Sequence, residues 1–398
     1  MPFHKSNNSP LNRRDFCKAT LAASLGVTLG TSASAGEKSD PAQNGPVNPP
    51  TAEWRNQQDS MAYRMFGKTG MMVSEIVQGT ALWESQNHLD AFAVAFEKGV
   101  NYIDASPAYR RRKSEKLVGQ YLKDTGNRDR IFLSNKISFY DEYMVKLMND
   151  VLNSLPGEKR KALRKQADAL VEERGVLKPG YHIYYWPKQA DKLYISYMRH
   201  VVFREYGGLR KLKSQIKKHM HQLVEDSLRT VGTDYFDVLH CPHGVAMPEL
   251  LESDNIREVL AELKASGKIR FSALSMHNDV AGNLAKALAL GYYDAAMVAY
   301  NIANQASLEA GLTKAGDQGM GIVAMKVANV INGENNPSWR LEKLNAAIGE
   351  QPFSRHAKAY LWALQNPNVS CCVSDMVTPQ MVAENTSVVG RKTSLNAV

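Results

Sequence analysis

Eight short apolar runs recur along this chain, most of them followed by turn residues and an amphipathic stretch of helical spacing, and this rhythm narrows the fold most. The runs are Glu75–Thr80, Tyr102–Asp104, Ile131–Lys136, Tyr235–Cys241, Arg270–Ser275, Ala295–Tyr300, Gly321–Met325 and Val369–Val373. Between most of them lie amphipathic stretches: His88–Glu97, Glu115–Leu122, Ile216–Val231, Asn255–Ser266, Val280–Leu290 and Leu308–Gln318. Gly99, Gly232, Gly267, Gly291 and Gly319 fall where these helices should stop. Strand and helix alternating eight times predict an α/β fold, a closed (β/α)8 TIM barrel. A doubly wound sheet is the second choice, weakened by the lack of Gly-x-Gly-x-x-Gly after the first run.

One connection breaks the rhythm. Residues 138–215, after the third run, are too many for a barrel loop and hold 15 Lys and Arg against 9 Asp and Glu. This α-rich insertion contains a helical stretch, Glu158–Glu173, and an aromatic one with Tyr181, Tyr184, Tyr185, Trp186, Tyr194, Tyr197 and Tyr206. It reads as a packed subdomain with its own small core, in preference to a direct substrate contact. Because it follows a strand, it emerges on the face where barrel active sites lie and could roof the site.

Of the 398 residues, 44% are hydrophobic and 22% charged, which fits a globular protein with a full core. The formal charge of +9 is partly spent in the insertion and the N-terminal segment, so no nucleic-acid partner is expected. That segment reads Asn12-Arg13-Arg14-Asp15-Phe16-Cys17-Lys18, then a mildly apolar Ala19–Gly30, then Ala33-Ser34-Ala35. Twin arginines, a short apolar region and a small-residue cleavage site predict a twin-arginine signal peptide over 1–35, the export machinery as partner and a periplasmic or otherwise exported protein. The apolar stretch is too short for a stable membrane span. Residues 36–61 read as a linker, 62–390 as the barrel around its insertion, and 391–398 as a tail. Once Cys17 leaves with the leader, Cys241, Cys371 and Cys372 make neither a disulfide framework nor a metal site, so no metal is expected and an iron–sulfur-coupled reductase is disfavoured.

Chemistry concentrates at the ends of two consecutive runs, which close in Asp104 and Lys136, with Tyr109 five residues after Asp104. An acid, a phenol and an amine delivered to one rim of a parallel sheet can lower the phenol's pKa and make it a proton donor, the need of carbonyl reduction.

Several ordered motifs together resemble the aldo-keto reductase family. They are Tyr63-Arg64-Met65-Phe66-Gly67-Lys68-Thr69-Gly70 with Val73-Ser74 and Gly79-Thr80, then Asp104 with Tyr109, Ser114-Glu115 with Gly119, Lys136, Gly267-Lys268-Ile269-Arg270, and Glu384-Asn385. The resemblance implies hydride transfer from a nicotinamide to a carbonyl, with Tyr109 giving the proton. Lys136 would favour the phenolate and Asp104 would balance and orient that lysine. The family also has a histidine five residues after a fourth-strand Asp, but here His240 and His243 stand three and six after Asp237. Side chains alternate along a strand, so both cannot face inward without a bulge. His243, at the rim in Cys241-Pro242-His243-Gly244, is the favoured choice, which leaves His240 between barrel and helices.

The resemblance further implies that Gly79, Thr80, Ser275, Lys326, Glu384 and Asn385 bind the cofactor. Met276 and Met297 replace the Asn and Gln that hold the nicotinamide amide, while Ser374-Asp375-Met376 and Met381 replace the grip on a ribose 2′-phosphate. The choice between NAD and NADP therefore stays open. The implied reaction is NAD(P)H-dependent interconversion of an aldehyde or ketone and an alcohol. The alternative is a catalytically degenerate barrel serving as an exported ligand-binding protein.

Overall fold

The computed structural model describes residues 50–178, 182–207, 209–331 and 336–398. The leader, Tyr181 and most of the expected linker lie outside them.

Three short strands come first: β1 (Glu53–Trp54), β2 (Tyr63–Met65) and β3 (Met71–Ser74), with β3 parallel to β1 and antiparallel to β2. Eight parallel strands then close a barrel: β4 (Ile76–Gly79), β5 (Tyr102–Asp104), β6 (Phe132–Lys136), β7 (Phe236–Val245), β8 (Ile269–Met276), β9 (Ala295–Ala299), β10 (Gly321–Met325) and β11 (Cys371–Ser374). Each overlaps one of the eight apolar runs, and β11 pairs with β4 to complete the ring. The strands are buried almost end to end, as a parallel sheet wrapped in helices requires.

The first helices are α1 (Gln86–Glu97), α2 (Lys113–Thr125), α3 (Tyr140–Asn153), α4 (Gly157–Arg174), α5 (Gln189–Tyr206) and α6 (Leu209–Val231). The chain continues through α7 (Asp254–Ala265), α8 (Val280–Leu290), α9 (Glu309–Asp317), α10 (Trp339–Ile348), α11 (Arg355–Leu364) and α12 (Pro379–Thr386). In α6, Ile216, Met220, Val224, Leu228 and Val231 form a buried stripe at helical spacing. There α6 meets α2 so closely that a Cβ on Gly119 would lie 2.5 Å from the Val231 carbonyl oxygen. Among the described residues no helix is long and apolar enough to cross a membrane.

Helices α3, α4 and α5 make up the insertion. In it α4 and α5 pack together, burying Leu163, Ala167 and Val171 on one and Leu193, Tyr197 and Val201 on the other. Arg199 ties α5 to Asp141 of α3 at 2.7 Å.

The expected linker needs correcting at its C-terminal end, because residues 50–61 belong to the fold. Strand β1 pairs with β3, and Asn56 is buried with its amide donating to the Phe96 carbonyl at 2.6 Å. Arg55 donates to the Ile131 carbonyl, just ahead of β6, at 2.7 Å. Buried Asp237, near the start of β7, meets Arg55 at 3.3 Å, Arg128 at 3.1 Å and Arg270 at 2.6 Å. Glu53 pairs with Arg55 and Arg270, so the segment completes a charged floor at the N-terminal end of the barrel.

Candidate active site

At the opposite end, where the strands finish, lies a cavity of about 540 Å³. Asp104, Tyr109, Lys136 and His243 line it, as do Gly79, Thr80, Ser275, Lys326, Glu384 and Asn385. The structure thus brings all ten sequence-expected site residues to one place.

The amine comes from the last residue of β6. Lys136 Nζ donates to both oxygens of Asp104 at 2.5 Å and to the Ala105 carbonyl at 3.0 Å. Ser134 also donates to Asp104, at 2.8 Å. The pair is buried, and burial pulls the lysine below its usual value while Asp104 opposes that pull. Tyr109 OH donates to Asp104 Oδ2 at 3.3 Å, and Lys136 Nζ lies 4.8 Å from the phenol ring centroid. The loop that presents Tyr109 is strained: Arg110, Arg111 and Arg112 follow it with φ of 47°, 50° and 66°. It is held by the Arg112 amide on the Pro107 carbonyl at 3.0 Å and by the Arg112–Glu115 ion pair at 3.0 Å.

The expectation of an acidified phenol needs correcting. Burial, then the charges of Asp104 and Asp375, push Tyr109 well above the ordinary phenol value. Asp104 cancels the lysine's charge, and Asp375 adds a second negative one. In this charge state Tyr109 keeps its proton.

His243 presents its ring edge-on to Tyr109, with centroids 6.1 Å apart. Its Nδ1 bonds Ser138 Oγ at 2.8 Å, and Ser138 in turn bonds Ser106 at 2.7 Å. That leaves Nε2 for a ligand. Burial first, then the nearby Lys136, His277 and Lys192, holds His243 well below its usual pKa and therefore neutral.

His240 does not lie between barrel and helices. It pairs in register with Lys136, and neighbours in register share a face, so it points into the lumen with the lysine. The pairing of β7 with β8 shifts between His240 and His243, and that irregularity lets both reach the inside. His240 Nδ1 contacts the Leu274 carbonyl at 3.3 Å, while its buried Nε2 has no partner among the described residues.

The remaining expected residues differ in what they offer. Thr80 spends its hydroxyl on the Asp104 carbonyl at 2.8 Å and on Ser114 at 2.5 Å, so it braces the acid. Asn385 donates to Ser374 at 2.9 Å, and Ser275 Oγ accepts the Gly244 amide at 3.0 Å. Glu384 faces His356 at 3.5 Å and accepts from Ser354. Gly79 leaves room for Asp375, since an added Cβ would sit 2.7 Å from Oδ1 of that acid, which accepts the Ala81 amide at 2.9 Å. Lys326 holds a left-handed φ of 60°. Burial lowers its pKa, and Asp375 works against that.

Sequence reasoning expected the insertion on this face and able to roof the site, but did not name which residues reach the cavity. Trp186 and Lys192 line the cavity, together with His277 and Asn278 from the loop after β8. Buried Gln189 donates to Asn278 Oδ1 at 2.9 Å and accepts the Tyr185 amide at 2.8 Å, and Tyr185 OH accepts from Asn301 at 3.1 Å. The aromatic cluster was the available signal, but partners 89 and 116 residues away in sequence are not visible in it.

Comparison with known proteins gives the family and the fold. The family model described as "Aldo/keto reductase family" matches residues 75–193 and 210–395. The curated aldo-keto reductase YhdN of Bacillus subtilis is 28% identical over 111 residues, 24% of this chain and 34% of that protein. The match therefore spans about a third of that relative's length. Among solved structures, an aldo-keto reductase of Bacillus halodurans in its holo form is 18% identical with a TM-score of 0.54, covering 84% of this chain and 92% of that one. An aldo/keto reductase of Klebsiella pneumoniae in complex with NADP and acetate is 17% identical with a TM-score of 0.54 and the same coverage, 84% and 92%. At these identities the structural likeness is one of fold.

Proposed function

The chain belongs to the aldo/keto reductase family, and on that premise we propose that it is an oxidoreductase interconverting an aldehyde or ketone and an alcohol with NAD(P)H. The observation that carries the reading is the convergence of Lys136, Asp104, Tyr109 and neutral His243 on one cavity at the C-terminal rim of the barrel.

The roles follow from the charge states. A carbonyl oxygen seated between Tyr109 OH and His243 Nε2 accepts a hydrogen bond from each as negative charge develops on it, the phenol turning its one proton from Asp104 to the substrate. Tyr109, held protonated by its buried acidic surroundings, then gives up its proton. Lys136, paired with Asp104 and 4.8 Å from the phenol ring centroid, offsets the charge of the phenolate left behind. A bound nicotinamide supplies the hydride.

The residues fit such a cofactor in part. Lys326 offers a cation for its phosphates, Glu384 an acceptor for its hydroxyls, and Gly79 with Ser275 the bare backbone and hydroxyl against which it rests. Asp375 and Met381, where a 2′-phosphate would need cations, give no support to NADP over NAD. Met297 on the cavity wall, in place of an amide, favours the second reading, a ligand-binding barrel without turnover. Export remains part of the proposal on the strength of Arg13-Arg14 and the apolar stretch after them.

The test is Tyr109→Phe. With NADH or NADPH and a panel of aldehydes, wild-type protein should consume cofactor, and the variant should lose about 10²–10⁴-fold in rate while its circular dichroism and cofactor affinity stay as they were. Undiminished turnover in the variant would remove Tyr109 from the chemistry. Cofactor titration without turnover in the wild type would favour the binding-protein reading.

A further inference from the structure

The insertion is more than a covering layer. Residues 182–189, which lead into α5, are fastened to the barrel rim at two points, Gln189 to Asn278 and Tyr185 to Asn301. The fastened segment turns Trp186 toward the cavity, where its plane is fixed by His277 edge-on at 4.7 Å and by Lys326 Nζ at 5.5 Å from the ring centroid. Lys192, in the first turn of α5, lines the same cavity.

The other lining charges have counterparts. Lys136 holds Asp104, Lys326 opposes Asp375, and Glu384 faces His356. No carboxylate among the described residues pairs with Lys192, and its charge acts on His243 and His277. Lys192 is exposed and lines the cavity where it opens to solvent, so the insertion brings a tryptophan and an ammonium without a carboxylate partner to the same wall. Leu82, Met297 and Val327 give the wall an apolar lining as well.

We propose that Trp186 and Lys192 form the substrate-recognition side of the site, which takes a carbonyl compound bearing a carboxylate: the carboxylate meets Lys192 and the flat body lies on Trp186. This assignment rests on the carbonyl-reductase reading above. Gln189 is then a positioning residue, since it acts by holding the segment that carries both groups.

The test uses two probes of nearly one shape, 4-formylbenzoate and its neutral methyl ester, with NADH and NADPH. Wild-type protein should show a KM about tenfold lower for the acid. Lys192→Gln should raise the acid's KM to that of the ester, Lys192→Arg should restore the preference, and Trp186→Leu should raise KM for both probes. Quenching of tryptophan fluorescence by 4-formylbenzoate, present in wild type and weakened in Trp186→Leu, reports binding independently of turnover. Equal KM for acid and ester in the wild type overturns the proposal, as does a Lys192→Gln effect confined to the cofactor's KM. Loss of turnover with both probes but retained quenching by the acid would leave the recognition side standing and sink the reductase reading instead.

Discussion

Three imidazoles in and under the cavity are kept neutral, and this has a cost that depends on pH. His240 is held down to about 4, by burial first and then by the charge of Lys136. His243 and His277 are held well below their ordinary value of 6.5, chiefly by burial and then by nearby lysines. A histidine whose folded pKa is depressed resists the proton that the unfolded chain accepts near 6.5. Its contribution is therefore complete above that pH and is lost as pH falls toward the folded value. For His240 the loss amounts to about 3 kcal/mol between pH 6.5 and about 4. Urea midpoints should hold level from pH 8 to 7 and fall steadily below 6.5, and His240→Gln should flatten part of that fall. An unchanged acid slope in the variant would show that His240 takes up its proton in the folded protein. The same residue marks a limit of the sequence: Lys136, Asp104 and Tyr109 could be placed by counting from strand ends, whereas the register shift that turns both His240 and His243 inward has no composition of its own.

At the level of elements, the barrel was legible because buried parallel strands are nearly continuous in apolar residues and their helices repeat at 3.6. The glycines expected to end helices do so, as at Gly291, where φ is 69° and its amide reaches the Ala287 carbonyl. Gly119, by contrast, serves the contact between helices and not the end of one. It lies inside α2, where alanine would ordinarily favour the helix by about 0.5–1 kcal/mol. Its added Cβ would meet the Val231 carbonyl oxygen at 2.5 Å and the Val231 Cα at 3.1 Å, all of it backbone at the last residue of α6. Backbone cannot turn aside as a side chain can, so the clash should outweigh the propensity. Gly119→Ala should cost a net of about 2 kcal/mol in stability and lower Tm by several degrees in calorimetry. A Tm at or above that of wild type would mean that α2 and α6 separate at little cost. The roof over the site was less legible for a related reason. The aromatic stretch could be read as a core, and α4 and α5 do bury one, but the hydrogen bonds that pull its N-terminal edge onto the rim join residues far apart in sequence.

Across the whole molecule, the two ends of the barrel divide the work. The upper end holds the cavity lined by Asp104, Tyr109, Lys136 and His243, and the lower end is closed by β1 to β3 and by a charged floor centred on Asp237, whose side chain is fully buried. That carboxylate accepts the Leu133 amide at 2.9 Å and faces Arg55, Arg128 and Arg270, three cations brought from the N-terminal segment, the loop before β6 and the start of β8. Removing one member of a buried charge cluster strands the others without water, which costs about 3–5 kcal/mol, more than the pairing itself contributes. Asp237→Ala should therefore lower the free energy of unfolding by that order, and Asp237→Asn, which keeps the shape and can still accept the Leu133 amide, should lose less. The damage should also stay at its own end. With the barrel still folded at 25 °C, cofactor affinity and aldehyde turnover should hold near wild-type values while the denaturant midpoint drops. Segment 50–61, which supplies Glu53 and Arg55 to the floor, should become more open to hydrogen exchange in both variants, and more so in Asp237→Ala. If turnover falls in step with stability, the floor and the catalytic rim are coupled through the strands, and the barrel does not insulate its chemistry from its foundation.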